Sequence, residues 1–145
     1  VRADWQRAAA YVVCRDGGRL LLTRFVQPGS PASGSWSMPG GGMEWGERPE
    51  QTAERELFEE TGYRTTVGPL LEVYSEWIEA GSTVRTGSGH VLAAIYAAGR
   101  LTGELRTEFD PDDTTDAAAW FSLEQVRRLR RVPLVDFVLD LIDAP

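Results

Sequence analysis

The sequence contains no lysine: all 15 basic residues are arginine. A Schiff-base lysine and the phosphate-cradling lysine of a P-loop are therefore excluded. There is one cysteine, Cys14, and one histidine, His90. No intrachain disulfide and no cysteine zinc cluster can form, which suits a reducing cytoplasm, and a multi-histidine metal site is excluded as well. Cys14 ends an apolar stretch over residues 8–14 and reads as a small buried hydrophobe rather than a nucleophile. No signal peptide is visible, and no apolar run approaches the roughly 18 residues of a membrane span, so no membrane partner is expected. Positive charge is scarce, with 15 arginines against 22 acids and a formal charge of −7. That balance argues against a nucleic-acid polymer as partner, and against docking on an anionic lipid surface.

What is present is ordinary globular material. A chain of 145 residues, 42% hydrophobic and 26% charged, reads as one folded domain over residues 1–145. Residues 8–14 and 20–25 predict a hairpin turning at Gly17-Gly18, followed by a polar surface loop over 27–35. Trp36-Ser37-Met38 is a short strand at most, stopped by Pro39 and a glycine run. A helix is predicted from Pro49 to about Thr61, with Gly62 as terminator. Strand-like stretches follow at 65–79 and 89–98, then a turn at Thr102-Gly103 and an acidic loop over 104–116. The strand 117–121 precedes a helix capped by Ser122 and running to about Arg131, and Pro133 starts a closing helix. Strands mixed with flanking helices imply an α/β domain.

The acidic excess is concentrated. Residues 44–60 and residues 104–116 each carry a net charge of −5, which leaves the rest of the chain mildly basic. On the predicted helix, Glu56 and Glu60 lie four apart on one face with Glu59 beside them, while Ala53, Leu57 and Thr61 turn toward a neighbouring face that can meet a sheet. Like charges at that spacing repel by a few tenths of a kcal/mol. Oxygen-only ligands without nitrogen or sulfur suit Mg²⁺, or Mn²⁺ in its place, rather than zinc. The glutamates alone read more readily as a solvated acidic face, and a glycine run alone marks many turns.

Together these residues form the pattern Gly41-x5-Glu47-x7-Arg55-Glu56-Leu57-x-Glu59-Glu60-x-Gly62-Tyr63. It resembles the signature box of the Nudix hydrolases. Seven fixed positions match, which by background composition is a coincidence on the order of 10⁻⁹ at a given location. Tyr63 departs from the family at the closing position, where an aliphatic residue is usual. Trp36 to Gly42 resembles the family's approach to the box, and Trp120 to Leu123 its last strand and following helix.

The resemblance implies an α/β/α sandwich with a mixed sheet flanked by helices. It implies Mg²⁺-dependent hydrolysis of a diphosphate linkage, usually in a nucleoside diphosphate joined to another group X. Glu56, Glu59 and Glu60 match the metal-binding glutamates, and the Gly40 carbonyl matches the backbone ligand. Arg55 matches the arginine that orients a neighbouring glutamate by a forked hydrogen bond, and Glu47 the supporting loop glutamate. Glu59 is the box residue expected to act as base or to orient water. Some members take the base from a distal loop, and here Asp113 and Asp116 are the candidates. Arg24, at the end of the second strand, is a candidate for a substrate phosphate, and Trp36 for stacking on a base. A small phosphorylated substrate, a cytoplasmic location and, as in many members, a homodimer are the accompanying expectations. Two other activities occur on the fold. One is non-catalytic sensing of a nucleotide or ADP-ribose; the other is isomerisation of isoprenyl diphosphates, which in known members uses a cysteine that Cys14 does not match in position.

Overall fold

A computed structural model describes residues 2–143, so Val1 and the last two residues of the expected 1–145 domain lie outside the described residues. β1 (Trp5–Val13) opens three residues before the predicted stretch and alternates its side chains between two cores. Ala10 and Val12 join Cys14, Leu21, Ala53, Leu57 and Tyr96 in one cluster, and Val13 joins Leu20, Leu22, Met38 and Ile95 in the other. After Arg15–Asp16 (β2) the chain reverses into β3 (Arg19–Phe25), with Asp16 opposite Arg19. β4 (Trp36–Ser37) pairs with β3, and β5 (Gly40–Gly42) pairs antiparallel with β1.

The helix α1 (Pro49–Thr61) has its predicted bounds. Pro49 occupies its first turn, where no N–H is needed, and the Gln51 carboxamide accepts the Arg48 N–H at 2.8 Å. Gly62 adopts the left-handed conformation, φ 82°, and donates its N–H to the Phe58 carbonyl. The buried face of α1 is Thr52, Ala53, Leu57 and Thr61. It lies on the small side chains of β1, so the helix backbone approaches the sheet closely; full burial of Leu57 alone contributes about 1.5–3 kcal/mol.

Beyond α1 come β6 (Tyr63–Arg64), β7 (Leu70–Ile78), β8 (Gly89–Ala97), β9 (Thr102–Gly103) and β10 (Thr115–Ser122). One mixed sheet has the order β5-β1-β8-β7, in which β1 and β8 run parallel from Trp5 opposite Gly89 to Val13 opposite Ala97. A second has the order β10-β3-β2, with β4 pairing with β3 on the edge away from β10. The helices α2 (Leu123–Val126) and α3 (Pro133–Asp143) complete the α/β/α arrangement; Leu134, Val135 and Val138 of α3 close the second core.

Four local expectations are corrected. The turn at Gly17-Gly18 joins β2 to β3, whereas β1 pairs with β5 and β8 and not with β3. The glycine run is a strand, because pairing Ala9 with Gly42 and Tyr11 with Gly40 needs only backbone and so leaves no trace in side-chain propensity. Thr102-Gly103 is not a free turn but pairs with Tyr63–Arg64. The helix after Ser122 ends at Val126 rather than Arg131. Backbone further on is used by Trp36, which donates its N–H to the Arg130 carbonyl at 2.9 Å and accepts from the Val132 N–H at 3.0 Å.

Candidate active site

β5, the turn that follows it and α1 bring the box residues together. Arg55 is the hub. Its Nε and Nη2 donate to the two oxygens of Glu47 at 2.7 and 2.9 Å, and its Nη1 donates to Glu56 at 3.0 Å and Glu59 at 3.2 Å. Nη2 also reaches the Gly42 carbonyl at 3.2 Å, tying the helix to the end of β5. A guanidinium so surrounded holds its proton even more firmly than usual, above all through Glu47. Glu47 in turn accepts from the Glu44 N–H and the Thr52 hydroxyl, and its carboxyl falls to about 2, chiefly because of the Arg55 hydrogen bonds.

Glu60 is in the opposite condition. It is desolvated, and its carboxyl is pushed up to about 8, with the charges of Glu56 and Glu59 adding to the burial. The Gly40 N–H at 2.8 Å and the Thr115 hydroxyl at 3.2 Å oppose that rise without cancelling it. Glu56 is likewise raised by burial. Gly40 must be glycine: its φ is 146°, and a Cβ there would collide with the Ala10 carbonyl and the Tyr11 ring. Gly40 meets the site through its N–H, which donates to Glu60.

Among the described residues no three acidic, histidine or cysteine side chains converge into a ready-made cation cage. Glu56 and Glu59 turn instead to Arg55. Their chemistry nevertheless fits a hard divalent ion. The donors are all oxygen, and the desolvated Glu60 faces two further carboxylates and is part of no ion pair among the described residues.

The two distal aspartates separate. Asp113 accepts from Arg106 Nη2 at 2.9 Å, and the same guanidinium donates through Nη1 to the Glu59 carbonyl at 2.7 Å. Arg106 thereby holds the acidic loop against the end of α1, and Asp113 shares a small cleft with Glu56, Glu59 and Glu60. Asp116 points elsewhere. It binds Arg24 in a two-bond pair at 2.7 and 3.1 Å; Asp116 is the extra residue of the bulge between Thr115 and Ala117 and is exposed, while Thr115 has the inward position.

Beside the glutamates lies a cavity of about 310 Å³. Glu56, Glu60 and Tyr11 line its acidic end, and Phe25, Ile78, Val91 and Leu134 its apolar walls. Arg24 and Trp36 are not among its lining residues. The fork of Arg24 is occupied by Asp116, and Trp36 packs edge-on against Phe121 with ring centroids 4.8 Å apart. Thr115 and Arg106 escape sequence reading. Thr115 precedes a bulge at the start of β10, and Arg106 is the lone base in an acidic run. His90 lies on the outer sheet face, hydrogen-bonded to Gln6 and Ser75.

Fold and site together define a class: an α/β/α domain in which a glycine strand and an acidic helix meet beside a cavity. The chain belongs to the NUDIX family, whose domain model matches residues 4–139. A curated ADP-ribose pyrophosphatase of Methanocaldococcus jannaschii is 32% identical over 118 residues, covering 81% of this chain and 62% of its own. A MutT-like protein of Streptomyces ambofaciens is 31% identical over 138 residues, covering 94% of this chain and 75% of its own. The crystal structure of a MutT NUDIX hydrolase from Burkholderia pseudomallei superposes with a TM-score of 0.72 at 28% identity, covering 97% of this chain and 98% of that one. The chain thus spans less than two thirds of the archaeal relative.

Proposed function

We propose that this chain hydrolyses a diphosphate linkage in a substrate of the nucleoside diphosphate–X type, by attack of water at phosphorus, with Mg²⁺ or Mn²⁺ as cofactor. The observation that carries this reading is the crowding of Glu56 and the desolvated Glu60 at one end of a cavity, with Glu59 beside them in the adjoining small cleft, braced by the Arg55–Glu47 pair. Water adds to one phosphorus, the bridging P–O bond breaks, and two phosphorylated products leave.

Glu56, Glu59 and Glu60, with the Gly40 backbone, would hold the cation. When bound, such an ion neutralises phosphate oxygens and acidifies water. The chain's own residues do the rest. Arg55 fixes the rotamers of Glu47, Glu56 and Glu59. Glu59, the most exposed of the three, and Asp113 across the small cleft are the groups placed to take a proton from water. Phe25 and Ile78 offer an apolar wall to the organic part of the substrate. We read residues 1–145 as one such domain. The lone buried Cys14 and the lack of a membrane-spanning helix among the described residues accord with a cytoplasmic location.

The deciding experiment is a panel of nucleoside triphosphates, nucleoside diphosphate sugars, ADP-ribose and dinucleoside polyphosphates, assayed with and without Mg²⁺. Turnover that depends on Mg²⁺ and falls sharply in Glu59→Gln supports the reading. Turnover independent of metal, or none on any diphosphate, overturns it.

A further inference from the structure

Two arginines near the site enter no ion pair among the described residues. Arg55, Arg106 and Arg24 are held by Glu47, Asp113 and Asp116 respectively. Arg7 and Arg85 enter no ion pair among the described residues, and no side-chain hydrogen bond there engages either guanidinium. Arg7 lies on β1, two residues after Trp5 and on the same face, and Arg85 lies over the Trp5 ring at 4.7 Å.

The position of Arg7 is specific. A Cβ at Gly42 would lie 2.9 Å from Arg7 Nε and 3.0 Å from its Nη2, and one at the adjoining Gly41 would lie 2.9 Å from the Glu56 carboxyl carbon. Consecutive glycines of β5 thus seat a guanidinium and a carboxylate of the site. Arg7 lines the cavity beside the glutamates and also a larger one of about 840 Å³, on whose wall Arg85 stands. The acids facing that larger space are Glu44, which is exposed and 3.9 Å from Arg55, and Glu47, whose charge Arg55 neutralises. The Arg7 guanidinium lies near Glu56, whose charge it favours, yet enters no ion pair among the described residues, so its donors are left for an anion that arrives with the substrate.

We propose that Arg7 and Arg85 form a subsite for a phosphate group lying beyond the linkage that is cleaved, with Gly42 leaving the room for Arg7 to reach it. The chain then favours substrates whose anionic portion extends past a diphosphate: a nucleoside triphosphate, or an X group that is itself phosphorylated. This rests on the diphosphate-hydrolase reading above.

The test compares kcat/KM on a nucleoside triphosphate, a dinucleoside tetraphosphate and a nucleoside diphosphate sugar with an uncharged sugar. Arg7→Ala is expected to lose about tenfold or more on the first two, mainly through KM, and less than about threefold on the third. Arg7→Lys should recover part of the loss. Gly42→Ala, which displaces the guanidinium but keeps its charge, should show the same selectivity, and Arg85→Ala a smaller effect in the same direction. Inorganic pyrophosphate should inhibit the wild type more strongly than Arg7→Ala, while Mn²⁺ affinity stays equal. A loss larger on the triphosphate places the bound group at a terminal phosphate, and a loss larger on the tetraphosphate places it at a phosphate bridging two nucleosides. Equal losses on all three substrates, no loss, or a change only in Mn²⁺ affinity would overturn the proposal. A wild type inactive on every diphosphate would instead overturn the reading it rests on.

Discussion

Arg55 and Glu47, eight residues apart, meet through two parallel hydrogen bonds of 2.7 and 2.9 Å, Nε to Oε2 and Nη2 to Oε1. The remaining guanidinium nitrogen, Nη1, then faces Glu56 and Glu59. The pair therefore sets where two of the three glutamates point. Arg55→Lys keeps the charge and removes the fork, so kcat/KM should fall about 10–100-fold with little loss of thermal stability. Steady-state kinetics beside a melting curve checks this; a lysine variant as active as wild type would remove the orienting role.

Glu60 gives the stability a pH dependence of known sign. Its carboxyl is raised from 4.5 to about 8 in the fold, so the folded form binds the proton more tightly than the unfolded chain. The contribution is fully present below pH 4.5 and is lost as pH rises to about 8. Glu56 acts in the same direction. Glu47 acts oppositely: with a carboxyl at about 2, its contribution is present above pH 4.5 and disappears as pH falls toward 2. Urea unfolding in EDTA should therefore show stability declining between pH 5 and 8, and Glu60→Gln should flatten that slope.

Removing metal should matter most at the upper end of that range. At neutral pH a divalent cation must displace the Glu60 proton, so binding should release protons. Calorimetry of Mg²⁺ or Mn²⁺ binding in two buffers of different ionisation enthalpy measures the release directly. Affinity that does not strengthen from pH 6 to 8 would separate Glu60 from the cation.

Asp113 and Asp116 should differ. Asp113 borders the glutamates, so Asp113→Asn should lower kcat about 10²-fold or more if it takes the proton, and Arg106→Ala should lower it less by releasing the loop. Asp116 is bound to Arg24 with both side chains two-fifths exposed, so Asp116→Asn should leave kcat within about threefold. That exposed pair contributes at most about 1 kcal/mol of stability. A larger kinetic loss at Asp116 than at Asp113 would reverse the assignment.

Leu57 anchors the helix that carries the glutamates and is fully buried. Leu57→Ala should cost about 2–5 kcal/mol in chemical denaturation while leaving the carboxylates chemically intact. If activity per folded molecule remains and stability does not, packing and chemistry are separable here.

The box helix and its contents were legible in the sequence for a local reason. Pro49, the spacing of Ala53, Leu57 and Thr61, and Gly62 are all determined within one stretch, and they set the helix bounds and the face carrying Glu56, Glu59 and Glu60. Pairings between distant segments left no such trace. The glycines of β5 pair through backbone alone, and β10 begins at Thr115 with a bulge between Thr115 and Ala117 opposite Phe25 and Arg24. Tertiary structure therefore decided that Thr115, not Asp116, faces Glu60, that Arg24 is taken by Asp116, and that Arg106 brings Asp113 to the glutamates. It also placed Arg7 against Gly42, 35 residues away in the chain. The residue types of the acidic site are local information; which charges are paired and which remain free is settled only when strands far apart in sequence come into register.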